Sequence, residues 1–257
     1  RYAKILAQKR EREGFNLEVA RDKMFERNYF GMMMVETGDA DAFITGLYTR
    51  YAGTIQAAKE VIGIRPGYEH FGALHLVSSK KGICFFGDTL INRDPDEHAL
   101  YDLARLAASG VRFFNRTPAM AMISYSNFGS DEDGKPAVVH RVVERMQKEY
   151  PELAIDGEMQ VNFALDRELR DEKYPFTRLK GQDVNTLIFQ SLSAANAAYK
   201  IAKSMADEGE VIGPIQIGLN KAIHFTDFEA DVRDIVNVTA IAALDATVQA
   251  HYNTSEG

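Results

Sequence analysis

An α/β fold built on a largely parallel sheet is predicted by two features of this 257-residue chain. Short apolar runs alternate with longer amphipathic ones along most of its length, the pattern of strands joined by crossover helices. One pair of apolar runs is instead separated by "KKG" at 80–82, which reads as a hairpin and adds some antiparallel pairing.

The opening "RYAKILAQKRERE" reads as helix from its first residues, so the chain is expected to be a piece of something longer. "FGMMMVETG" places Met32, Met33 and Met34 on a helix, where methionines serve as core or interface filler. Candidate strands follow at 42–47, 73–79, 83–88, 119–126, 186–191 and 212–219. Between them lie the helical stretches "TIQAAKEVIG", "DEHALYDLARLAASGV", "AVVHRVVERMQKEY" and "SAANAAYKIAKSMADEG". "RDPDEHAL" reads as a helix start, with Asp94 as N-cap, Pro95 at the first helical position, and Asp96 and Glu97 in the first turn. "SDEDGKP" at 130–136 reads as a solvated turn, since its Gly134 comes too early and Lys135 stands at a ligand position for a calcium loop. Near the end, "HFTDFEADVRDIVNVTAIAAL" crowds acidic residues ahead of an apolar helix, with Thr226 and Glu229 spaced as a capping box.

Composition narrows the function classes. A net charge of −7, from 30 basic and 37 acidic residues, argues against broad nucleic-acid binding, which needs a cationic surface. The single cysteine, Cys84, lies in "ICFF" and reads as a buried thiol, fitting a reducing, cytoplasmic setting. No apolar run approaches the ~20 residues of a membrane span, and no signal peptide is visible. The dinucleotide, P-loop, nucleophile-elbow and zincin signatures are absent, and the six histidines never fall at metal-ligand spacing, so no metal site is expected. Three segments carry more information: "SYSNFGS" (124–130), whose backbone N–H groups after a strand could hold an anion; "DGEMQVNFAL" (156–165); and "GPIQIGLNKAIHFTD" (213–227) running into "DIVNVTAIAA".

In this order, and with "LSAANAAYK" (192–200), these segments resemble the phosphate acetyl/butyryl transferase family from about residue 27 to the end of the last helix. The resemblance implies a three-layer α/β/α sandwich, isocitrate dehydrogenase-like, of two subdomains with a cleft between them. It implies a first subdomain of 1–69 and 214–257, lacking the family's opening strands, and an inserted second subdomain of 70–213. It also implies self-association as a dimer or higher. Family members exchange an acetyl group between phosphate and coenzyme A, which needs a base for the thiol and donors for the oxyanion.

In active members those roles fall to a Ser-Arg pair and an Asp six residues beyond the Arg. Aligned without gaps, Asp227 and Phe228 replace the Ser-Arg pair and only Asp234 matches the base. The family's S-T-K-G-S element reads Ser126-Asn127-Phe128-Gly129-Ser130, so a lysine is replaced as well. These losses, with "GMMMVETGDADAFITGL" and "YSNFGSD", make the chain similar to the transferase-like domain at the C-terminus of large NADP-dependent malic enzymes. That resemblance implies a regulatory, acetyl-CoA-sensing domain without confident catalytic residues. NADP, a divalent metal and malate decarboxylation would then belong to a catalytic domain of the same polypeptide. Ser126, Asn127, Gly129, Ser130, Arg50, Lys221, Asn237 and Asp234 are the expected contacts to acetyl-CoA or CoA. Two alternatives stand beside this reading: an active phosphate acetyltransferase, and an oligomerisation platform with Met32–Met34 at an interface.

Overall fold

The computed structural model describes residues 1–257 except 47–50, 80–81, 206–209 and 256–257, together with the side chains of all described residues but 79 and 251–255. The chain folds as two compact units, Arg1–Tyr68 with Gly213–Gly257, and Glu69–Ile212.

The first unit holds helices α1 (Tyr2–Lys9), α2 (Leu17–Lys23), α3 (Arg27–Glu36), α4 (Tyr51–Val61) and α10 (Val232–Ser255) around strands β1 (Ala42–Thr45) and β8 (Ala222–Phe225). β1 and β8 pair in parallel, with Ala42 opposite Ala222 and Thr45 opposite Phe225. α3 packs on β1 and α4, and α10 lies on both strands. Met32 and Met33 are fully buried. They fill this core, while Met34 is partly exposed.

The second unit carries a sheet in the order β5 (Ala154–Met159), β4 (Ala119–Ile123), β6 (Thr186–Phe189), β3 (Gly82–Gly87), β2 (Gly72–Ser79), with β7 (Val211–Ile217), of which only Val211 and Ile212 belong to this unit, next in the order. Pairs β4/β5, β4/β6 and β3/β6 are parallel, whereas β2 and β3 form the expected antiparallel hairpin, with Ser79 opposite Gly82. Helices α5 (Glu97–Phe113) and α9 (Leu192–Met205) both pack on β2, β3 and β6, and α6 (Gly134–Glu149) packs on β5. Successive side chains of β3 serve different helices: Phe85 packs on Phe114 at the end of α5, and Phe86 joins Phe189 in the cluster that includes Ala195 and Tyr199 of α9. With both faces covered, β4 ("AMAMI") is buried at every position, as central parallel strands are. Short helices α7 (Val161–Leu165) and α8 (Arg167–Lys173) complete the unit.

Two strands escaped the sequence reading. β5 carries Asp156, Gly157 and Glu158 inside an otherwise apolar run, and β8 is only four residues long. The start of α5 also lies two residues later than expected. Asp96, not Asp94, is the N-cap, accepting a bond from Ala99 N at 2.8 Å, while Asp94 pairs with Lys135 at 2.6 Å. In "SDEDGKP" the turn ends at Asp133, and α6 begins at Gly134.

Polar groups buried in the second unit are tied to the chain around them. Asp88 accepts bonds from the backbone of Ala73, Leu90, Ile91 and Asn92 and from the Asn92 side chain. Cys84 packs against the core cluster, and burial pushes its thiol up to about 12. His75 is buried on β2, stacked on Tyr199 with ring centroids 3.9 Å apart and its Nδ1 2.8 Å from Thr89 Oγ1. Burial, then the nearby Lys203 and Lys200, lower its pKa to about 3. A histidine held neutral on folding gives stability that is complete above its unfolded value of about 6.5 and is lost as pH falls towards 3. Urea unfolding between pH 7 and 4 is therefore expected to show a steeper acid loss in the parent than in His75→Leu, by up to about 1.4 kcal/mol per pH unit.

Candidate functional site

In the second unit, the loop that leaves β4 closes on itself around one carboxylate. Glu158, at the end of β5, is fully buried. Its Oε1 accepts the Gly129 N–H at 2.5 Å and the Ser126 hydroxyl at 3.1 Å, and its carbonyl accepts the Phe128 N–H at 2.8 Å. The loop completes itself with Ser126 N to Ser124 Oγ (3.2 Å), Asn127 N to Ser130 Oγ (3.0 Å), Ser130 N to Asn127 O (3.1 Å) and Asp131 N to Ser126 Oγ (3.1 Å). Ser126 and Ser130 hydroxyls lie 2.8 Å apart. Asn127 Oδ1 accepts the Gln160 N–H at 2.8 Å, tying the loop to the residue after β5. The structure thus brings Ser126, Asn127, Gly129 and Ser130 together as the sequence suggested. It does not leave their amides open, because each N–H from Ser126 to Asp131 already has an acceptor within the protein.

Local backbone explains why this sequence folds so tightly here. Phe128 and Gly129 both sit in the left-handed region, at φ 47° and 84°, a double reversal that folds the loop back over Glu158. Beneath it, Gly157 has φ 143°, and a side chain there would meet Met122 O at 2.6 Å. The close passage of β5 beside β4 therefore demands glycine. Glu158 Oε2 lies 3.3 Å from Nδ1 of the half-exposed His140 on α6, without hydrogen-bond alignment. Phe128 packs on Tyr174 and on Phe176, itself 68% exposed, and so forms part of an aromatic cluster.

In the first unit, the segment after β8 carries the remaining candidates. Asp227 accepts a bond from the Tyr51 hydroxyl at 2.8 Å. Phe228 is 72% exposed and supplies no donor. Thr226 does not cap a helix: its N–H and hydroxyl both reach Thr45 O, at 2.6 and 3.2 Å, and Gly46 (φ 147°) packs against it too closely for any side chain. The helix starts later, at Val232, and its capping box is Asp231 with Asp234. Asp234 N donates to Asp231 Oδ1 at 2.8 Å, and Asp231 N donates to Asp234 Oδ2 at 3.3 Å. The acidic crowding is thus a cap formed by two aspartates, because the backbone of Thr226 is committed to β1. Asn237 lies one turn further along α10, partly buried, and Lys221 is partly buried just ahead of β8. Arg50 lies outside the described residues.

Sequence reasoning missed Glu158, His140 and Tyr51. The usable signal for Glu158 was a strand-like run, "AIDGEM", containing two acidic residues; such residues are buried only when bonded. Among the described residues, no group of three or more His, Cys, Asp or Glu could hold a metal, and no helix is long and apolar enough to cross a membrane.

The protein family described as phosphate acetyl/butaryl transferase matches residues 1–243. The NADP-dependent malic enzyme of Salmonella typhimurium is 34% identical over 237 residues, covering 92% of this chain and 31% of that protein. The phosphate acetyltransferase of Nitratidesulfovibrio vulgaris is 36% identical over 243 residues, covering 93% of this chain and 34% of that protein. The chain thus spans about a third of the length of these relatives. Among solved structures, a phosphotransacetylase from Streptococcus pyogenes superposes with a TM-score of 0.88 at 31% identity, covering 96% of this chain and 75% of that one.

The Asp231–Asp234 box gives the first unit a direct test. Asp231→Ala is expected to lower stability by about 1 kcal/mol through loss of the N-cap side chain, and Asp231→Ser to lose less, as read by thermal melting of α10-dependent helicity.

Proposed function

The chain belongs to the phosphate acetyl/butaryl transferase family, and from that premise we propose that it is an acetyl-CoA-binding regulatory domain that does not itself transfer acetyl groups. In this reading it adjusts a malic enzyme catalytic domain in the same polypeptide. Oxidation of malate with NADP and a divalent metal would occur in that other domain. The observation that carries the proposal is the pair Asp227 and Phe228. One is an acidic group bonded to Tyr51, and the other is an exposed ring, where the family resemblance calls for a hydroxyl and a guanidinium. Arg brings a fixed cation and a fork of donors that Phe cannot supply. Losing one oxyanion donor costs roughly 3–4 kcal/mol of transition-state stabilisation, and adding an anion beside the developing charge raises that cost.

The reading is further supported by Asp234, whose carboxylate accepts a helix-capping bond from Asp231 N. Ground-state binding of a nucleotide thioester does not depend on these transition-state groups. Regulation follows if acetyl-CoA binds one arrangement of the parent protein better than another. An active phosphate acetyltransferase is the second reading, favoured by the 36% identity to such an enzyme.

Two measurements separate them. Calorimetric titration with acetyl-CoA is expected to give saturable heat, and its absence at millimolar ligand would sink the sensor. A coupled assay of acetyl-CoA formation from acetyl phosphate and CoA is expected to stay at background, and robust turnover would establish the transferase instead.

A further inference from the structure

We infer that the loop between β4 and α6 excludes phosphate and other tetrahedral oxyanions, and presents its surface to an uncharged part of the ligand. The inference rests on the acetyl-CoA reading above and specifies which portion of that ligand this loop can meet. An anion-binding loop needs backbone N–H groups pointing outward, a positive charge, or both. This loop has neither. Its six amides from Ser126 to Asp131 end on Ser124, Ser130, Glu158, Asn127 and Ser126. An incoming oxyanion would have to break those bonds before making its own.

Charge acts in the same direction. The segment "SYSNFGSDED" (124–133) contains no lysine or arginine and ends in Asp131, Glu132 and Asp133. The fully buried carboxylate of Glu158 lies directly against the loop. The first cation beyond the segment, Lys135, is paired with Asp94 at 2.6 Å and bonded to Pro95 O. His140 faces Glu158 Oε2 at 3.3 Å and Glu144 at 3.6 Å, so this ring already stands between two carboxylates. The N-terminus of α6 would attract an anion, but Asp133 occupies its cap position and Asp131 Oδ1 accepts the Asp133 N–H. Beside the exposed acidic Glu132 and Asp133, the loop surface shows Gly129, Ser130 and Tyr125, with exposed Phe176 packed on Phe128. Such a surface suits amide or thioester groups and repels a phosphoryl group.

Calorimetric titration with inorganic phosphate tests this. The parent chain is expected to show no saturable heat up to about 10 mM, a Kd weaker than about −3 kcal/mol of binding would give. Glu158→Gln keeps the acceptor oxygen and removes the charge, so it is expected to gain phosphate binding by at least about tenfold. Asp131→Asn with Asp133→Asn should gain binding in the same direction and serves where Glu158→Gln fails to fold. Ser126→Ala, which leaves every charge in place, should still exclude phosphate. Saturable phosphate binding by the parent that Ser130→Ala weakens would place an anion on the loop and overturn the inference. A folded charge-removing variant that still excludes phosphate would assign the exclusion to the occupied amides and leave the inference standing. Titration with acetyl-CoA alongside keeps the two readings apart: no acetyl-CoA heat together with phosphate gained by the variant removes the sensor role and leaves anion exclusion standing.

Discussion

The contact on which the candidate site depends is a carboxylate turned inward. Glu158 is fully buried, and its Oε1 takes both a backbone amide and a serine hydroxyl from the loop above it. Hydrogen bonds to a charged acceptor contribute about 1.5–3 kcal/mol each, and leaving such a group unpaired in the interior costs more. Every other feature of the loop follows from satisfying this group. The chain must reverse sharply enough for Gly129 N to point down, which explains the left-handed conformations at Phe128 and Gly129. β5 must also bring the carboxylate close beside β4, which leaves no space for a side chain at Gly157.

The first unit solves a comparable problem with different chemistry. Parallel pairing of β1 and β8 brings Gly46 against Thr226, and Thr226 gives both of its donors to Thr45 O. The segment after β8 then makes a turn, closed by Ala230 N donating to Asp227 O at 3.1 Å, and the helix begins only after Asp231. Asp227, at the start of that turn, takes the Tyr51 hydroxyl. Its position is thus set by α4 as well as by its own strand.

What the sequence disclosed and what it concealed follow from range. The sheet of the second unit was legible because its strands are apolar runs separated by amphipathic helices, a pattern carried by each segment alone. β5 was hidden because two acidic residues interrupt its apolar character, and their burial is licensed only by partners far along the chain: Thr177 and Arg178 for Asp156, Ser126 and Gly129 for Glu158. The capping box was misplaced for a similar reason. Both T-x-x-E at 226–229 and D-x-x-D at 231–234 fit the local rule, and the choice between them is made by the pairing of Thr226 with a strand 181 positions away. Composition marks the site loop, but nothing local shows that its amides are occupied, one of them by a carboxylate 29 residues further on.

On the proposed reading, each unit lacks groups that acetyl transfer to phosphate would use, and the two sets of differences share one physical direction. In the first, where the resemblance implies a guanidinium and a hydroxyl, stand a phenyl ring and a carboxylate bonded to tyrosine. In the second, where the resemblance implies an ammonium group, stands Phe128, which packs on Tyr174 and Phe176 over a buried carboxylate. Each change removes positive charge or adds negative charge, and phosphoryl and oxyanion groups are the species most sensitive to that sum. A thioester with its amide-linked arm carries no charge at those atoms and loses little. Under the proposed reading, a domain that binds acetyl-CoA needs neutral contacts alone, whereas acetyl transfer to phosphate needs cations as well.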